Sequence, residues 1–174
     1  MKKSRLIVLL ILFVSCGLIK PSSAQWTDMV WDSYGISFKA PTDFTITTND
    51  EGTYIASGAV FTMSIKASDD YEDLYPMDIC QNALDDTPGT DKIIIKESAI
   101  DDQNGLDGYE ANCTATQDGK LMHLIVGGYQ DPIMLTSFTV QLLYWDDPKQ
   151  NDTNYEAAIS AAMMSVRSRA WPMT

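Results

Sequence analysis

A chain of 174 residues holds a single histidine, His123, and three cysteines, Cys16, Cys80 and Cys113. Zinc sites need clustered Cys and His ligands, and the redox pair C-x-x-C does not occur. G-x-S-x-G, H-E-x-x-H, phosphate-loop and EF-hand patterns are missing too. No cofactor and no metal ion are therefore expected. Basic residues are scarce, 12 Lys and Arg against 24 Asp and Glu. Nucleic acid is not expected as a partner, because phosphate contacts need Lys and Arg clusters. There is no internal repeat, low-complexity tract or linker.

What is present starts with the first residues. "MKKSR" is a basic prelude to the apolar run Leu6 to Ile19. Ser22 and Ala24 then supply the small residues of a signal-peptidase site. The expectation is a signal peptide over residues 1–24 and an exported chain over 25–174, periplasmic or extracellular. The apolar run falls short of the roughly 20 residues that cross a bilayer, and no transmembrane segment is expected. Cys16 in "FVSC" offers a weaker rival, a lipid anchor. Residues 1–24 hold four of the basic residues and no acid, so the remainder sets eight basic residues against 24 acidic, net −16. That balance serves solubility and self-repulsion.

An exported chain with two cysteines left, Cys80 and Cys113, is expected to join them in a disulfide. Cys80 shares a helical face with Met77, Ala83 and Leu84, and Cys113 lies on the apolar side of the strand "GYEANCTA". A bond would pin helix to sheet, and the chain-entropy contribution for such a loop is roughly 3 to 4 kcal/mol. Two buried free thiols are the alternative.

Along the chain, Trp26 to Ser33 reads as a lead-in. "YGISFKAPTDFTIT" and "TYIASGAVFTMSIKA" alternate as strands around the turn "NDEG". Pro76 opens a helix that ends at Thr87-Pro88-Gly89. "DKIIIKESAI", "GYEANCTATQ", "KLMHLIVGGYQ" and "IMLTSFTVQLLYW" follow as strands, with Asp118-Gly119 as a hairpin turn. "DDQNGLDG" reads as a turn rather than a calcium loop, and Asp69, Asp70, Glu72 and Asp73 as a solvated helix approach. Thr153 and Glu156 make a capping-box pair before a last helix, whose apolar stripe is Tyr155, Ile159, Ala162, Met163 and Val166. Strands and helices so grouped give an α+β fold with a mainly antiparallel sheet. Apolar residues on both sides of "LMHLIV" and "IMLTSFTV" call for helices on both sheet faces.

The order of "YGISFKAP", "FTMSIKA", a helix, "GYEANCTA", a long antiparallel pair and a final helix after "LYW" resembles the PsbP-like fold. A photosystem accessory protein, a nuclear Ran-binding protein and many exported bacterial proteins share it. The resemblance spans most of residues 33–168 and implies a single domain built as a three-layer α/β/α sandwich. It transfers no functional residue, because no motif demands one.

The candidate contact residues are the tryptophans near element ends, Trp26, Trp31, Trp145 and Trp171, which suit a protein or carbohydrate surface or plug the ends of the sandwich. His123 lies on an apolar strand face, and a role as general base would require a partner acid. Asn112 and Asn151 match the glycosylation pattern. The expected function is an exported, non-enzymatic module that binds a protein partner in the cell envelope. The rivals are a hydrolase with an unrecognised site and a binder of a small ligand or divalent cation.

Overall fold

The stretch read as a lead-in is a strand. β1 (Trp26–Trp31) runs antiparallel to β2 (Ile36–Pro41), with Trp31 opposite Ile36. Its apolar residues do not alternate cleanly, which hid it from a period-2 reading. Here and below we describe a computed structural model, which covers residues 26–59, 61–68, 71–145 and 154–170. The leader with Cys16, Asp69 and Asp70, the Asn151 acceptor, Thr153 of the capping pair and Trp171 lie outside those residues.

Three further strands precede the first helix: β3 (Thr45–Asn49), β4 (Thr53–Ser57) and β5 (Thr62–Ser68). The turn between β3 and β4 is set by Asp50, whose Oδ1 accepts from the backbone N–H of Gly52 and Thr53 at 3.0 and 2.7 Å. Helix α1 (Pro76–Asp86) starts on Pro76, with Asp78 Oδ2 accepting from Tyr75 N. It buries Ile79, Cys80, Ala83 and Leu84. Met77, expected on that face, is 54% exposed, and Ile79 holds the place instead. The helix ends where Thr87 Oγ1 donates to Ala83 O and Lys92 Nζ donates to the carbonyls of Leu84 and Asp85.

Strands β6 (Thr90–Gln103), β7 (Leu106–Gln117), β8 (Lys120–Asp131) and β9 (Thr136–Trp145) then form a meander. Asn104-Gly105 and Asp118-Gly119 close its first two hairpins with paired positive φ values, the geometry that two-residue loops favour. The third connection differs from the expectation. Ile133, Met134 and Leu135, read as the start of a strand, form a solvent-facing turn, and pairing resumes at Asp131 opposite Thr136. Helix α2 (Asn154–Met164) follows, then β10 (Arg167–Ser168), which pairs with β2. Arg167 and Arg169 lie beyond the helix: Arg167 pairs with Ser37, and Arg169 bonds to Asp32.

The large sheet has the order β3-β4-β5-β9-β8-β7-β6 and is antiparallel throughout; β1, β2 and β10 make a second, three-stranded sheet. The fold is α+β and mostly antiparallel sheet, with two α-helices of 11 residues each among the described residues. Helix α1 packs on the face that carries Ala111, Cys113, Met122, Leu124 and Val126. The opposite face carries Tyr54, Met63, Ile65, Tyr129, Val140 and Leu142. It is covered by Ile36 and Phe38 of the small sheet as much as by Ile159, Ala162 and Met163 of α2. The expectation of helices over both faces thus overlooked a β contribution to this cover.

Gly127 and Gly128 sit where the covers press closest. A Cβ on Gly128 would lie 2.3 Å from Pro76 O and 2.5 Å from Cys80 N, against the backbone of α1. One on Gly127 would meet the Tyr129 ring and the end of Met163 on the other face. Adjacent strand residues face opposite sides, so one Gly-Gly pair admits both covers.

Candidate functional site

The three described tryptophans, Trp26, Trp31 and Trp145, differ in exposure. Trp31 is fully buried; its Nε1 donates to Asp50 O at 3.1 Å and its ring lies 4.6 Å from that of Tyr34. It plugs the core. Trp26 is half-buried against the same core, whereas Trp145 is 41% exposed at the end of β9.

His123 stacks on Tyr144 across the β8–β9 pair, ring centroids 4.8 Å apart and planes 10° apart. The two line a cavity of ≈ 240 Å³ with Ile95, Asn112, Cys113, Leu124, Ile125, Ile159 and Ser160. Asn112, a formal glycosylation match, is thus half-buried within strand β7. Among the described residues, no carboxylate lines that cavity. No group of three or more His, Cys, Asp or Glu side chains is placed to hold a metal ion among the described residues.

The expected disulfide is not formed. Cys80 and Cys113 are both free and buried within one apolar cluster, where α1 meets β7 and β8. The Cys80 thiol donates instead to Val126 O at 3.3 Å. Burial, and then the neighbouring Cys113, push the Cys80 thiol up to about 12. A thiol so protonated is no nucleophile at neutral pH.

A second titratable pair joins β7 to β8, where the Tyr129 hydroxyl donates a short hydrogen bond to Glu110. Burial raises the Glu110 carboxyl above its ordinary 4.5, opposed by the Tyr129 hydrogen bond and the charge of Lys96. Burial, then the Glu110 charge, hold Tyr129 well above 10. The sign follows from Glu110. A raised folded value means that its contribution to stability is complete below about pH 4.5 and is lost as pH rises through the folded value. Glu110→Gln keeps an acceptor for Tyr129 and removes that loss. Urea midpoints between pH 4 and 8 should therefore fall more steeply for the parent than for the variant. A steeper fall in the variant would mean that the carboxylate is the favoured form.

Two other places gather what the sequence scattered. The larger cavity, ≈ 420 Å³, is lined by Asp28, Phe38, Lys39, Asn104, Ala161, Met164, Ser165 and Arg167. Its residues come from β1, β2, the β6–β7 turn, α2 and β10, which is why no local motif announces it. The other is the end of the large sheet where β8 turns into β9. Ile133, Met134 and Leu135 are 54%, 47% and 66% exposed there. The turn is held by the fully buried Asp131, whose Oδ1 accepts from Ile133 N and Met134 N at 2.9 and 3.0 Å. Leu135 has φ 53°, a left-handed conformation that costs a leucine about 1 kcal/mol or more. By strand order and register the same end carries the exposed acids Asp50, Glu51, Asp101, Asp102 and Asp107. "IMLT" reads as strand, so the sequence concealed this turn.

No protein-family model matches the chain, and no curated protein matches it. Solved structures do. The Ran-binding protein Mog1p of Saccharomyces cerevisiae is similar over 84% of this chain and 97% of its own, with 5% identity and a TM-score of 0.62. A protein of unknown function from Pseudomonas aeruginosa, PA94, is similar over 86% of this chain and 99% of its own, with 15% identity and a TM-score of 0.52. At such identities the likeness is one of fold, a Mog1/PsbP-like fold.

Proposed function

We propose that this Mog1/PsbP-like chain is an exported, non-enzymatic module, a three-layer sandwich in overall plan, that binds a protein partner in the cell envelope. The carrying observation is the turn Ile133–Leu135, three consecutive apolar side chains in solvent. Monomeric surfaces rarely keep contiguous apolar groups without a use for them. Glycine at position 135 would remove the strain, and leucine is there instead. The acids around this end suit a partner whose apolar cleft is rimmed by Lys and Arg, and they disfavour an anionic lipid surface. A fold shared with a Ran-binding protein is consistent with partner binding. Export rests on the basic and apolar leader of residues 1–24.

The test is Leu135→Gly. It relieves φ strain and removes the side chain, so its melting temperature should equal or slightly exceed that of the parent. Capture of the partner from an envelope extract of the source organism should drop at least tenfold. A parent chain that retains no partner would overturn the partner-binding reading. A variant that captures as well as the parent would acquit the turn.

A further inference from the structure

We infer that the ≈ 420 Å³ cavity between β2 and the end of α2 is a binding site for a small amphipathic anion, an apolar chain bearing a carboxylate or phosphate head. Its wall is apolar: Phe38, Ala161 and Met164. Its mouth carries two cations, Lys39 and Arg167, in a chain where acids outnumber bases two to one. Among the described residues neither cation forms an ion pair, and Asp28 is the one acid that lines the cavity. Arg167 spends Nε on Ser37 Oγ at 2.9 Å, which fixes the guanidinium and leaves its terminal nitrogens for a ligand.

The ordinary task of cations beside a helix C-terminus is to satisfy its last carbonyls. Here that task is already done. Asn104 Nδ2 donates to Met164 O and Val166 O at 3.0 and 3.1 Å. Ser165 Oγ donates to Ala162 O at 2.6 Å and accepts from Lys39 N at 2.7 Å. The helix end is closed by neutral groups, so the Lys39 ammonium is not spent on it; the residue opposite Lys39 on β1 is Asp28. Two unspent cations over an apolar wall match a ligand with one anionic end and one greasy end.

The test titrates the ¹⁵N-labelled chain with decanoate, decyl phosphate and decanol. Saturable shifts confined to residues 37–40, 103–105 and 164–168, from either anion, support the proposal, and the tighter of the two identifies the head group. Decanol should bind at least tenfold more weakly. Lys39→Ser, an exposed change that leaves the backbone bond to Ser165 in place, should weaken the anion at least tenfold with the rest of the spectrum unchanged. Equal binding of decanol, no saturation by either anion at millimolar concentration, an unaffected Lys39→Ser or shifts centred on His123 would each overturn it.

Discussion

Gly128→Ala should destabilise the protein by about 3 kcal/mol or more, near the top of the range for inserting one methyl group into a packed interior. The magnitude follows from what the methyl meets. Its nearest neighbours would be Pro76 O at 2.3 Å and Cys80 N at 2.5 Å, backbone atoms of α1 that no rotamer change can withdraw. Either α1 lifts from β8 or the strand bends. Gly127→Ala is the internal comparison, because the atoms it meets belong to side chains, the Tyr129 ring at 2.5 Å and the terminal methyl of Met163 at 2.6 Å, and not to helix backbone. It should cost distinctly less. Urea denaturation of both variants measures the difference. Equal costs, or a cost below about 1 kcal/mol for Gly128→Ala, would mean that α1 does not sit as described.

The second large effect is expected at Trp31. Truncation to alanine empties a site with no solvent access and deletes the bond from Nε1 to Asp50 O. Large aromatic deletions of this kind cost about 3 to 5 kcal/mol. Trp31 also ties the small sheet to the β3–β4 turn, so its loss should loosen both elements. Amide exchange should accelerate over residues 26–41 and 49–54 and stay nearly constant in β7. Trp145→Ala, at the exposed end of β9, should change stability by less than about 1 kcal/mol. If Trp31→Ala proved as mild, its side chain would be a surface group after all.

The contrast between these tryptophans shows where sequence reading stops. Their placement near element ends is evident from flanking turns, but whether such a residue faces water depends on the element packed over it. For Trp31 that cover is a turn 19 residues away. The first two hairpins of the meander β6–β9 were legible because each carries its own turn chemistry in adjacent residues, Asn104-Gly105 and Asp118-Gly119. The buried stripe of α2 was legible from spacing alone, through Ile159, Ala162 and Met163; Val166, read into the same stripe, is buried just past the helix end. Met77 was misplaced because a helical period fixes which residues share a face but leaves the stripe's limits to the partner surface. "IMLT" was misread because apolar content suits a strand and a sticky turn equally; only the buried carboxylate of Asp131 decides between them. The Lys39–Arg167 cavity had no local signal, since its two cations lie 128 positions apart. The cysteines were placed correctly on facing elements, and only their bonding was misjudged.

The division of the interior into two unequal clusters has a dynamic consequence. The cluster between the large sheet, the small sheet and α2 holds the greater part of the buried apolar residues; Cys80 and Cys113 lie in the other, beneath α1. Opening events confined to part of the molecule cost less than global unfolding, and one that lifts α1 from β7 and β8 would leave the larger interior folded. Each such excursion would uncover Cys80 and Cys113 together. The two sulfurs therefore act as a built-in clock, and the pace at which a thiol reagent consumes them reads out how often that helix breathes.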